Sequence, residues 1–308
     1  MAKPRNDLLD RLQYVGLRLV SMWMHIWPIE LNYAAARVLG DFMYVCDKRH
    51  RDRAVGNLRR SFPAMSDRKI HRMARRSMQQ LFMLFIEVLF TTRLVRIDTI
   101  ASIMQLDQFD EVLRMLMKRD RGLIMLTGHY GNWEVLGYAL ATLGFETTSV
   151  ARPLDNPYVN EYLLGVRERM GQRIITKKGA TDEVTTILEN KGVVGFIADQ
   201  NAGPKGVFVD FFGRKASAYK SIALLAMQYD VPIVIGYARR IDAQFKFRMA
   251  AQDIIKPEDW KNQNDPMRYI TQRYTSAIED FVRADPGQYL WVHRRFKTRP
   301  PGEASVYR

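Results

Sequence analysis

A chain of 308 residues with 47% hydrophobic content can bury a sizeable core, which excludes an intrinsically disordered chain. Its formal net charge of +14 points to a polyanionic partner: nucleic acid, an anionic membrane surface, or an acidic or phosphorylated molecule. Cys46 is the only cysteine, so internal disulfides and zinc sites built on several thiolates are excluded, and a reducing compartment fits.

The first apolar stretch, "LQYVGLRLVSMWMHIWPI" at 12–29, is interrupted by Arg18 and His25. A spanning helix needs about 20 mainly apolar residues, and a cleavable signal needs a small-residue site after a cleaner apolar core; neither fits. Trp23 and Trp27 suit the headgroup boundary, and Arg11 and Arg18 can snorkel to phosphates, so residues 1–45 read as a membrane-interacting helical segment. A buried first helix of a soluble domain is the alternative. From 48 to 76 eleven Lys or Arg face only Asp52 and Asp67. Pro63 breaks that segment, and Ser66 can cap a new helix with one apolar and one cationic face. Two readings of the cationic face stand, a solvated surface and a binding surface.

After residue 110 short apolar runs alternate with helical patterns. Runs at 122–127, 147–151, 173–177, 193–198 and 232–238 predict strands, and 132–143, 157–171, 180–190 and 218–229 predict helices. Such alternation implies βαβ crossovers and an α/β fold: a largely parallel central sheet flanked by helices, with the N-terminal helices as an extension. The segment 244–250 is expected to add an antiparallel edge, and 265–284 a last amphipathic helix ended by Asp285-Pro286-Gly287. No repeat or linker divides the chain, so residues 46–308 read as one domain with a basic helical lead-in at 46–110.

Reactive residues of open α/β sheets gather at the carboxyl ends of strands, and His129 stands two residues beyond "LIMLT". On one continuous helix, His129 and Glu134 would lie about 140° apart and could not meet. Gly131 permits an abrupt turn and Asn132 is a good N-cap, so a helix starting at Trp133 leaves His129 in the loop and brings Glu134 back toward it. A carboxylate on one imidazole nitrogen fixes the tautomer, leaving the other nitrogen to accept a proton from a hydroxyl. No G-x-S-x-G elbow supplies a serine nucleophile and no second histidine stands at H-E-x-x-H spacing, so the substrate hydroxyl is the expected nucleophile and no metal is expected. A histidine that merely caps the strand is the other reading of the motif taken alone.

"TGHYGNWE" at 127–134 resembles the H-x-x-x-x-D/E signature of the lysophospholipid acyltransferase superfamily, and in particular the bacterial lipid A late acyltransferases, the lauroyl and myristoyl transferases. "AVGNLRRSFPAMSDRK" (54–69), "ARPLDNP" (151–157), "ADQNAGPKGVFVDFFGRKAS" (198–217) and "YLWVHRRFK" (289–297) resemble the same family in collinear order. The resemblance implies an acyltransferase in which His129 is the base and Glu134 orients it. It implies an acyl thioester of acyl carrier protein or coenzyme A as donor, no cofactor, and a glycolipid hydroxyl as acceptor, foremost a lipid A precursor. It also implies anionic membrane lipids as partners and the cytoplasmic face of the inner membrane as location.

Arg152 matches a motif arginine that could bind phosphate or an oxyanion, or form a surface salt bridge. Asp199 and Gln200 stand at another strand end, as cleft residues or turn formers. Lys205 and Gly206 lie in a loop that could cradle a phosphate or simply turn. "FVDFFG" (208–213) offers an apolar acyl groove or ordinary core, and His293 reads as structural or headgroup-binding. The glutamate at 134 favours a lipid A acceptor over mannosylated phosphatidylinositol, an aminolipid or another membrane lipid. From a different class, a non-catalytic basic membrane-binding protein remains an alternative. Nucleic acid is not expected as a partner, because no helix-turn-helix, RNP or zinc-finger pattern is present.

Overall fold

The computed structural model describes residues 6–169, 171–176 and 180–307. Met170 and Lys177, which the sequence placed in a helix and at a strand end, lie outside them.

In chain order the elements are α1 (Asp7–Ile26), α2 (Ile29–Cys46), α3 (Lys48–Ser61), α4 (Asp67–Leu94), α5 (Ile100–Ile103), β1 (Met104–Asp107), α6 (Asp110–Lys118), β2 (Leu123–Thr127), α7 (Trp133–Thr142), β3 (Thr147–Ala151), α8 (Pro157–Glu168) and β4 (Gln172–Thr176). Then follow α9 (Ala180–Glu189), β5 (Val193–Ile197), β6 (Val207–Phe211), β7 (Arg214–Ala218), α10 (Lys220–Tyr229), β8 (Ile233–Arg240), β9 (Phe247–Ile255), α11 (Pro257–Trp260) and α12 (Pro266–Ala284). Asn6, Asp47, Asn132, Asn156 and Asp265 cap their helices through side-chain oxygens, each cap contributing about 1 kcal/mol.

Seven strands form one sheet in the order β1-β9-β8-β2-β5-β3-β4. The run from β8 to β4 is parallel, and β9 is antiparallel to β8. The sheet is thus mixed α/β and mostly parallel, with helices on both faces. On β2, Leu123 and Met125 face one apolar cluster while Ile124 and Leu126 face another, the period-two signature of a strand buried on both sides.

Two features differ from the expectation. The antiparallel strand begins three residues later than expected and is not the edge, because the short β1, with only Met104 buried, pairs beyond it. The motif at 198–217 contains a separate hairpin, β6 paired with β7. Its two-residue turn, Phe212-Gly213, has positive φ at both positions, the geometry that matches strand twist.

Helices α1 and α2 leave apolar side chains uncovered: Leu12, Leu19, Trp23 and Ile26 on α1, Trp27 just after it, and Val38, Phe42 and Val45 on α2, are exposed. Among the described residues, no helix is long and apolar enough to cross a membrane.

Candidate active site

Strands β2 and β5 are parallel neighbours, with Thr127 opposite Ile197. Two residues beyond each of these ends stand His129 and Asp199. The neighbouring strand ends therefore bring together side chains 70 residues apart. The Ala198 N–H donates to the Thr127 carbonyl at 2.9 Å, extending the ladder to the brink of the site.

Asp199 is almost wholly buried, both of its oxygens bond His129, and the Tyr289 hydroxyl also lies against it. Oδ1 lies 2.7 Å from His129 Nδ1, and Oδ2 accepts the His129 backbone N–H at 2.9 Å. An ionised carboxylate only accepts, so Nδ1 carries the proton and Nε2 carries the lone pair. Gln200 Nε2 sits 3.2 Å from that lone pair. Burial opposes the charge on Asp199, yet the His129 charge, both hydrogen bonds and the Arg295 charge bring its pKa down to about 2. Burial likewise opposes an imidazolium at His129, but the charge and hydrogen bond of Asp199, with the Glu134 charge, raise its pKa above 6.5.

The loop between β2 and α7 is held from several sides. The Leu290 N–H donates to the His129 carbonyl at 3.0 Å, and the Gly131 N–H to the Gln288 carbonyl at 3.0 Å. Gly131 has φ +58°, and a Cβ there would lie 2.1 Å from the Ala238 carbonyl oxygen, so glycine is required on two grounds. Asn132 caps α7 as expected, its Oδ1 accepting from the Val135 N–H at 2.8 Å. The Trp133 ring stands edge-on to the imidazole, with centroids 4.9 Å apart.

Glu134 occupies the first turn of α7, as expected, but does not take the imidazole. Both of its oxygens accept from Arg167 on α8, each at 2.7 Å. The expected hydrogen-bonded partner of His129 is thereby corrected from Glu134 to Asp199, and Glu134 reaches the ring through its field. The physical reason is competition: a bidentate guanidinium on one side and a closer carboxylate from β5 on the other.

Arg152 follows β3 and is exposed, 3.7 Å from Asp155, which matches its surface-salt-bridge reading. Gly206 closes a turn, its N–H donating to the Gly203 carbonyl at 3.2 Å. A Cβ on Gly206 would lie 2.1 Å from Ser217 Oγ, so this glycine serves close packing against β7 and its N–H is already used. Lys205 is exposed on that turn. Phe211 and Phe212 are buried and pack edge-to-face on Tyr289 and Trp291 respectively, so these two belong to the core.

His293 comes closer to the site than its sequence position suggested. Its Nε2 accepts the Asn201 N–H at 3.3 Å, bracing the turn that carries Asp199 and Gln200. Burial, followed by the charges of His129, Arg295 and Arg53, outweighs Asp199 and pushes its pKa down to about 4, so it is neutral at pH 7.

Behind Trp133 a narrow cavity of about 90 Å³ runs between α7 and the sheet, walled by Leu136, Leu140, Val150, Ile174 and Phe196 and bordered by the Glu134–Arg167 pair.

An imidazole–carboxylate pair at the carboxyl edge of a mostly parallel α/β sheet is an arrangement chemically suited to accepting a proton from a hydroxyl. The chain belongs to the bacterial lipid A biosynthesis acyltransferase family, whose model matches residues 3–298, and it is an acyltransferase of lipid A biosynthesis. It is 23% identical to a lipid A biosynthesis acyltransferase of Haemophilus influenzae, over 90% of this chain and 85% of that one. It is 22% identical to the Escherichia coli lipid A biosynthesis lauroyltransferase and 25% identical to the palmitoleoyltransferase, each over 96% of this chain and 94% of the other. Among solved structures, the 1-acyl-sn-glycerophosphate acyltransferase PlsC of Thermotoga maritima matches at a TM-score of 0.36 with 13% identity, covering 82% of this chain and 98% of that one.

Proposed function

We propose that this enzyme transfers a fatty acyl chain from an acyl thioester, of acyl carrier protein or coenzyme A, to a hydroxyl of a lipid A precursor at the surface of the inner membrane. The observation that carries the reading is the His129–Asp199 pair, with Nδ1 bound at 2.7 Å and Nε2 left as the proton acceptor. The acceptor hydroxyl displaces Gln200 from Nε2 and gives its proton to that nitrogen while its oxygen attacks the thioester carbonyl carbon. The buried carboxylate stabilises the imidazolium that forms. The tetrahedral intermediate then expels the thiolate, which takes the proton back from Nε2 and leaves as a thiol. Freed from Nε2, the Gln200 amide donates to the carbonyl oxygen as negative charge develops there.

The donor chain enters the apolar cavity behind Trp133, the ring that stands between it and the imidazole. The uncovered apolar faces of α1 and α2 lie in the headgroup region, and the basic residues of α3 and α4 attract anionic lipid and an acidic carrier. Lipid mass spectrometry of a host lacking the gene, complemented with the parent or with His129→Ala, tests the reading. Loss of one acyl chain from lipid A, restored by the parent and not by the variant, is expected. A lipid A spectrum unchanged by deletion overturns it.

A further inference from the structure

Helix α4 is apolar where it passes beneath the His129 loop, and Met83, Leu84, Ile86 and Phe90 are all buried there. Among them stands Glu87, ion-paired with Arg240 of β8, and both side chains are 0% exposed. A pair so fully desolvated is a poor device for stability, since apolar residues of similar volume commonly serve as well or better. Arg240 Nη1 is, in addition, buried with no hydrogen-bond partner among the described residues, a further cost.

The four hydrogen bonds to the Glu87 carboxylate indicate another use. Oε1 accepts from Tyr33 of α2 at 2.7 Å and from Arg240 Nε; Oε2 accepts from Arg240 Nη2 at 2.6 Å and from Asn132 Nδ2 at 2.8 Å. Asn132 is wholly buried, three residues after His129, and its remaining groups are committed: Oδ1 to the α7 cap and N–H to the Ala238 carbonyl at 2.8 Å. Arg240 is tied to the same loop by a second route. Its backbone N–H and carbonyl exchange hydrogen bonds, both 3.0 Å, with the Gln288 side chain, whose own carbonyl accepts from Gly131. Three helices or strands and the turn after the catalytic base thus converge on one buried carboxylate.

We infer that Glu87 is a positioning residue for His129, acting through Asn132, with Arg240 and Tyr33 fixing the carboxylate that holds the turn. Directional hydrogen bonds from a supporting shell help hold a catalytic group to within about 0.5 Å of its productive place. The inference rests on His129 being the base, and predicts that loosening Asn132 moves the imidazole relative to Asp199 while leaving the substrate-binding surfaces in place.

The test uses the full chain in detergent or lipid and two changes: the double variant Glu87→Met with Arg240→Met, which removes both charges together, and Asn132→Ser, which keeps an N-cap but loses the amide donor. Each is expected to lower kcat for acyl transfer about 10- to 100-fold with KM for the acceptor within about twofold, the scale of a misplaced catalytic group. Combined, they are expected to cost little more than either alone, since they break one link. A second readout needs no turnover: histidine NMR titration should show the His129 pKa falling in both variants as the Asp199 bond loosens. Full additivity, or an unchanged kcat and His129 titration in a variant that melts like the parent, overturns the inference. If the double variant does not fold, Asn132→Ser decides on the same readouts. If the parent transfers no acyl chain, the functional reading falls and the titration alone decides the positioning role.

Discussion

Asp199 Oδ1 lies 2.7 Å from His129 Nδ1, and Asp199 Oδ2 holds the backbone N–H of the same residue at 2.9 Å. One buried carboxylate therefore fixes both the ring and the chain that carries it. This double hold turns Nε2 away from the carboxylate, toward the Gln200 amide at 3.2 Å.

Asp199→Asn is expected to lower kcat by about 10²-fold or more, the range of general-base contributions. The pH dependence has a definite sign. The His129 pKa is raised above 6.5, so the basic form is lost, and kcat/KM falls, as pH drops through a value above 6.5. Removing the carboxylate lowers that pKa, so the acid limb of the profile moves to lower pH even as its plateau drops. A limb unmoved by the substitution would remove Asp199 from the mechanism. The same pairing bears on stability. The Asp199 pKa falls from 3.8 unfolded to about 2 folded, so its contribution is complete above pH 4 and is lost as pH falls through 2. It amounts to on the order of 2 kcal/mol.

Glu134→Gln removes a carboxylate that acts on His129 by its field and leaves Arg167 without its bidentate partner. The acid limb is expected to shift in the same direction as with Asp199→Asn but less, and kcat to fall less. Steady-state profiles of the two variants measured side by side check this. A larger loss at Glu134 would return to it the orienting role that the spacing H-x-x-x-x-E suggested.

That contrast shows what was legible in the chain. The strand β2 and the first half of β8 are readable because a strand buried on both faces is an unbroken apolar run, and α7 because Gly131 and Asn132 announce its start. Glu134 is legible as a partner because it is local. Asp199 is legible only as a strand-end residue, since its contact with His129 depends on β2 and β5 being neighbours, and strand order is set by the packing of crossovers rather than by any residue near 129 or 199. The edge strand β1 was missed for a simpler reason: in "MQLD" only Met104 is buried, so it carries almost no apolar signal. The β6–β7 hairpin was hidden because its turn uses Phe212 at positive φ, a conformation that side chains of this kind rarely announce.

Trp23 is 59% exposed and Trp27 44%, and on α2 Val38 and Phe42 are both 66% exposed. So much uncovered apolar surface suits the lipid interface proposed for this face. Trp23→Ser with Phe42→Ser is expected to weaken flotation with anionic vesicles severalfold while leaving the melting temperature unchanged, because neither side chain packs in the core. Undiminished flotation would move the membrane contact to another face.

Gly195 lies on β5 where the cavity behind Trp133 passes, and a Cβ there would stand 3.1 Å from Ser149 Oγ. Gly137, on the opposing face of α7, is tighter: its Cβ would meet Gln172 Nε2 at 2.3 Å. Added volume at either position must therefore come out of a cavity of only about 90 Å³. Gly195→Val is the gentler probe, since a β-branched residue suits a strand and the approach to Ser149 Oγ, at 3.1 Å, is less severe than 2.3 Å. If the donor chain lies in this cavity, competition between thioesters of different lengths should shift toward the shorter chain in Gly195→Val, with kcat on that chain retained. Leu140→Ala should relax the preference in the opposite direction at a stability cost of about 2–5 kcal/mol. A chain-length preference that neither substitution moves would place the acyl group elsewhere, while the His129–Asp199 chemistry would stand untouched.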